Sequence, residues 1–79
     1  MKTKHETLSD ARLDSVIAAN VRQALKLDSD VPDERITVHV HDGLVTLDGT
    51  VDADLQKEAA EADAHKVKGV RGVTNRIQI

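Results

Sequence analysis

Cysteine is absent from this 79-residue chain, and so are phenylalanine, tyrosine and tryptophan. The first absence excludes disulfides and thiolate metal sites, so the covalent chemistry carries no mark of an oxidising or a reducing compartment. The second leaves the core to Val, Leu, Ile and Ala, and removes the ring faces on which single-stranded nucleic acid stacks. Long apolar runs are missing too, since no stretch approaches the roughly 20 residues of a membrane span. The start, Met1-Lys2-Thr3-Lys4-His5-Glu6, is basic but leads into no apolar segment of the secretory kind. The expectation for the sequence as given is a soluble, cytoplasmic chain; a mature or excised periplasmic domain reads the same way.

What remains is 39% hydrophobic and 32% charged. This length holds one core, and the expected division is a flexible segment over 1–8 followed by a single domain over 9–79. The net charge of −3 hides an asymmetry: all 14 acidic residues lie at or before Asp63, whereas residues 64–79 hold Lys66, Lys68, Arg71 and Arg76 and no acid. A bulk-basic nucleic-acid-binding protein is disfavoured by that distribution, and no nucleic-acid partner is expected.

Ser9 or Asp10 is suited to cap a helix, after which Leu13, Val16, Ile17, Val21, Ala24 and Leu25 recur at three- and four-residue steps. The polar run Asp28-Ser29-Asp30-Val31-Pro32-Asp33 ends it. From Ile36 the period changes to two, with Ile36, Val38 and Val40 alternating with Thr37, His39 and His41. Asp42-Gly43 is the dipeptide of a tight type I′ hairpin. The return strand, Leu44 to Val51, then pairs His41 with Leu44, Val40 with Val45, His39 with Thr46, Val38 with Leu47 and Ile36 with Gly49. This register puts every apolar partner except Leu44 on one face, and a one-residue slip scatters them.

Asp52 or Asp54 opens a second expected helix, with Leu55, Ala59, Ala62 and Val67 as its apolar stripe. Gly69 stands where a left-handed residue ends such a helix, and Val73, Ile77 and Ile79 then alternate with Thr74, Arg76 and Gln78 as a last strand. A helix joining two strands of one sheet implies a right-handed crossover and parallel strands. The predicted fold is an α/β (α+β) two-layer sandwich of order α-β-β-α-β, a three-stranded mixed sheet with two helices on one face.

The string Ile36-x-Val38-x-Val40-x-Asp42-Gly43-x-Val45-Thr46-Leu47-x-Gly49-x-Val51, the helical Ala59-Ala60-Glu61-x-x-Ala64, and the ending Val67-x-Gly69-Val70-x-x-Val73-x-Asn75-x-Ile77 occur in that order. Together they resemble a BON domain, the module named after bacterial osmotic-stress and nodulation proteins, from about Leu13 to Ile79. The resemblance implies a non-enzymatic, stress-related module that binds phospholipid or membrane surfaces, often in the periplasm or outer membrane. Some cytoplasmic relatives pair the domain with a peptidoglycan-binding-type module and sense potassium. Its recognisable residues, among them Asp42, Gly43, Gly49 and Gly69, serve turns and caps, so few binding residues carry over.

The candidates for chemistry are few. His39 and His41 project from one side of a strand, roughly 7 Å apart by the strand rise. With Asp48 diagonally near His39 they are the weak candidates for a metal, but a stable zinc site wants three or four ligands. A wet sheet face is the favoured reading, and no cofactor is expected. Asp28, Ser29, Asp30, Asp33 and Glu34 resemble the start of a calcium loop, yet Asp33 and His39 stand where that loop needs Gly and Glu. A solvated loop able to hold a hydrated monovalent cation is left, the starting point of an alternative, potassium-sensing reading. Lys66, Lys68, Arg71 and Arg76 are the candidates for anionic lipid headgroups; the first three also complement the negative end of the second helix. Ser9, Ser15 and Ser29 have no histidine at readable spacing and the glycines form no phosphate-cradling loop, so no enzyme is expected. A third reading is a protein-interaction or oligomerisation module using Leu44, the outer sheet face and the two open strand edges.

Overall fold

The computed structural model describes residues 2–79, with side chains from Leu13 onward. Helix α1 (Lys2–Leu27) is followed by a 3-10 turn (Asp33–Arg35), strands β1 (Ile36–His41) and β2 (Leu44–Thr50), helix α2 (Asp54–His65) and strand β3 (Gly72–Gln78). The sheet order is β1-β2-β3, with β1 and β2 antiparallel and β2 and β3 parallel. The α+β architecture, the element order and the hairpin register all agree with the sequence expectation. Helix α1 begins before the cap expected at Ser9 or Asp10.

Alternation builds the sheet. Ile36, Val38, Val45, Leu47 and Ile77 are buried beneath the helices, whereas Thr37, His39, His41, Leu44, Thr74, Arg76 and Gln78 face outward and are exposed. One face therefore carries the core and the other stays wet, as an antiparallel hairpin with period-two patterning permits. The turn between β1 and β2 has φ of 52° at Asp42 and 79° at Gly43, both left-handed, which is the backbone of a type I′ turn. At Gly49 (φ 141°) a Cβ would lie 2.1 Å from the carbonyl oxygen of Arg35, so β2 passes too close to the 3-10 turn for any side chain.

Ile17, Val21 and Leu25, at four-residue spacing, are the residues by which α1 enters the core. Leu13 and Val16, expected on the same stripe, are instead 55% and 52% exposed. The physical reason is reach: the sheet ends at the Asp42-Gly43 turn, Ile17 packs on Gly69, and the helix runs on past that end of the domain.

The stripe of α2 also needs correcting. Ala60 and Ala64 are fully buried and Ala59 and Val67 pack beside them, but Leu55 is 77% exposed and Ala62 is exposed. The helix is turned by about one residue, roughly 100°, from the face set by Leu55. Small residues let α2 lie close against its neighbours. Its first turn is closed by Gln56, whose Oε1 accepts hydrogen bonds from the backbone N–H groups of Asp52 (2.8 Å) and Ala53 (3.2 Å). Asn75 joins α2 to β3: its Nδ2 donates to the carbonyl of Lys57 (2.9 Å) and to Glu61 Oε1 (3.2 Å), and its Oδ1 accepts from the N–H of Ile77 (3.1 Å).

Candidate interaction groove

The hairpin turn is held from two sides. Asp14, on α1, accepts the N–H of Asp42 at Oδ2 (2.9 Å) and that of Gly43 at Oδ1 (3.0 Å). From the segment before β3, the backbone N–H of Arg71 donates to the carbonyl of Gly43 (2.8 Å), and its guanidinium donates through Nη1 to the carbonyl of Asp42 (3.2 Å). Tight-turn N–H and C=O groups that cannot pair within the hairpin thus find partners in both flanking segments, which satisfies the demand on backbone polar groups.

Between these clamps lies an open groove of about 490 Å³, walled on one side by Leu13, Val16, Ile17 and Asn20 and on the other by Lys68, Gly69 and Arg71. Leu13 and Val16 supply an apolar lip, and exposed Lys68 and Arg71 supply positive charge across from it. Of the four cations singled out in the sequence, these two are brought together. Lys66 stands instead by Asp28 and Asp63, whose carboxyls feel its charge. Arg76 lies on the outer sheet face, 3.7 Å from Asp48, its register partner across β2 and β3.

The weak metal candidates His39, His41 and Asp48 lie apart in their contacts. His39 pairs with Thr46, and Asp48 is engaged with Arg76. His41 instead turns towards the hairpin turn, with Nε2 3.4 Å from Asp42 Oδ2. One ligand-type atom from each of Asp14, His41 and Asp42 lies within 4.8 Å of the others. Sequence reading missed Asp14, because nothing local marks a contact 28 residues away.

A second feature that sequence reading missed joins the ends of the two helices. Asp63 of α2 is pushed up to about 6, first by burial and then by its hydrogen bond to Asp28 and that group's charge, with Lys66 opposing. Asp28 is held below its ordinary value by the same hydrogen bond and by the N–H of Asp30, which donates to its Oδ1 at 3.0 Å. A proton is thereby favoured on Asp63 and disfavoured on Asp28. Asp63 Oδ2 is buried with no hydrogen-bond partner.

Residues 13–79 match the model of the BON domain, a span that covers the sheet, α2, α1 from Leu13 onward and the whole groove. The chain belongs to the BON domain family. It is also 37% identical over 62 residues to osmotically-inducible protein Y of Escherichia coli (strain K12), an alignment covering 78% of this chain and 31% of that protein. The chain thus spans about a third of the length of that relative. In this BON domain the residues quoted for the resemblance fall chiefly on structural positions: Asp42 and Gly43 make the turn, Gly49 admits the 3-10 turn, and Asn75 ties β3 to α2. The groove is built where those positions meet α1.

Proposed function

We propose that this BON domain is a stress-related, non-enzymatic binding module that associates with anionic phospholipid surfaces through the rim of the groove. The observation that carries the reading is the placing of exposed Leu13 and Val16 opposite Lys68 and Arg71. Leu13 and Val16 offer side chains to the apolar boundary of a bilayer, and the two cations lie where phosphate headgroups would stand. Asp14 faces the same groove, but its carboxylate already receives two backbone N–H groups, which offset its negative charge. The relative's name, osmotically-inducible, supports the stress-related part.

Each basic side chain near a charged surface contributes on the order of 1 kcal/mol. Two of them, with a leucine and a valine, give weak and salt-sensitive attachment. No helix among the described residues is long and apolar enough to cross a membrane. The proposed mode is therefore docking on the surface.

The test is co-sedimentation with phosphatidylglycerol vesicles and with neutral phosphatidylcholine vesicles, at low and high salt. Binding to the anionic vesicles alone, lost at high salt and reduced at least about tenfold by Lys68→Glu with Leu13→Ser, is the expected result. Failure to bind anionic vesicles at low salt rejects the proposal. Undiminished binding by the double variant rejects the groove as the contact.

A further inference from the structure

We propose that Asp14, His41 and Asp42 form a binding site for a divalent transition-metal ion of the zinc class, at the hairpin end of the domain. Asp14 and Asp42 also line the groove, but the proposal rests on metal-ligand chemistry and not on the lipid reading. Its residues come from two parts of the chain: α1 supplies Asp14, and β1 and its turn supply His41 and Asp42. One imidazole with two carboxylates is a donor set that suits zinc.

Three features of the geometry favour an ion here over a chance meeting of surface charges. Tetrahedral zinc with bonds of about 2.0–2.2 Å places its ligand atoms roughly 3.3–3.5 Å apart. His41 Nε2 and Asp42 Oδ2 already stand at 3.4 Å. The remaining ligand atom, from Asp14, lies within 4.8 Å of both. Asp14 is moreover oriented by its two backbone N–H donors, and a carboxylate oxygen that accepts one hydrogen bond keeps a second lone pair for a metal. The third feature is charge. Two carboxylates from separate parts of the chain bring negative charge to one point, which Arg71, on the carbonyl of Asp42, offsets only in part. Three protein ligands leave the fourth position to water.

The chain has four histidines, and this gives the test its discrimination. Folded protein is titrated with zinc chloride to one equivalent while the histidine ring signals and backbone amides are followed by NMR. The expected result is a saturable one-to-one step in which the His41 ring and the amides of Asp14, Asp42 and Gly43 move and the rings of His5, His39 and His65 do not. His41→Ala weakens binding at least about tenfold, the scale of losing part of a metal's coordination, and His39→Ala changes it less than about twofold. Because Asp14 also holds the turn, Asp42→Asn is the second ligand variant, its fold checked by circular dichroism, and it too weakens binding. Three results overturn the proposal: no shift at one equivalent, an equal loss from His39→Ala and His41→Ala, which marks a chelate along the strand, or shifts spread over all four histidines.

Discussion

Asp14 receives the N–H of Gly43 at 3.0 Å across 29 positions of sequence, and through its other oxygen it holds the neighbouring N–H of Asp42. One carboxylate thereby fastens α1 to the tip of the hairpin. Hydrogen bonds to an ionised acceptor contribute about 1.5–3 kcal/mol when shielded and less in the open, and here one of the two is partly buried. Asp14→Ala is expected to lower the unfolding free energy by about 1–2 kcal/mol. Asp14→Asn, which keeps one acceptor oxygen, loses about half of that. Urea unfolding checks both, and an Asp14→Ala midpoint equal to the parent's contradicts the clamp.

Gly49→Ala is expected to be far more damaging than its size suggests. The new Cβ would meet the carbonyl oxygen of Arg35 at 2.1 Å, and the φ of 141° is one that alanine resists. Backbone must move on both sides, a cost of about 2–3 kcal/mol or more. Gly72→Ala is the control, because its Cβ would meet only Leu44 Cδ2, at 3.4 Å. A thermal melt separates them: about 4–8 °C is lost per kcal/mol in a domain of this size, so Gly49→Ala drops by 10 °C or more on this scale while Gly72→Ala stays close to the parent.

How legible these relationships are depends on their range in sequence. Val38, Val40, Val45 and Leu47 announce the hairpin because strand alternation and the Asp42-Gly43 turn are local, and the observed register is the one those residues imply. The parallel pairing of β2 with β3 follows from the intervening helix. The faces of the helices were harder to read. Leu55 and Leu13 have the composition of core residues but lie outside the reach of the sheet, while Ala60 and Ala64 carry the packing of α2 with side chains too small to weigh in a periodicity. The groove was half legible. Lys68 and Arg71 stood out as cations in an acid-free tail, but only the fold separates them from Lys66 and Arg76, which it spends on other partners. Asp14 and Asp63 were hidden because their partners are tertiary.

Asn75 is a third structural position whose replacement has a defined cost. Its amide satisfies the carbonyl of Lys57 and the N–H of Ile77, both in a partly buried setting. Asn75→Leu has nearly the same volume but leaves both groups without that partner, at about 1–3 kcal/mol for each one that water does not reach. Amide hydrogen exchange gives the local readout: the N–H of Ile77 is expected to exchange at least about tenfold faster in the variant, by the same energy scale. Unchanged protection there would falsify the assignment of Asn75 as its anchor.

The Asp28 and Asp63 pair predicts a pH dependence opposite in sign to that of most paired carboxylates. Asp63 is raised in the folded state to about 6 from an ordinary 3.8, so the folded domain holds a proton that the unfolded chain releases. Stability from this group is fully present below the unfolded value, declines as pH rises between the two, and is lost above about 6. Asp28, held low, works the other way, but its contribution fades only as pH falls below the ordinary carboxylate range. Between pH 7 and 5 the Asp63 effect therefore stands alone within the pair, and lowering the pH strengthens the tie between the end of α1 and α2. Lys66, the charge that favours the ionised form of both, tempers the effect without reversing it. Asp63→Asn replaces the protonated carboxyl with an amide that donates to Asp28 at every pH. In urea titrations at pH 5, 6 and 7 the parent is expected to gain stability towards pH 5 relative to Asp63→Asn. The variant is expected to be the more stable of the two at pH 7. Parallel curves for the two proteins across that range would mean that Asp63 ionises as an ordinary surface carboxylate.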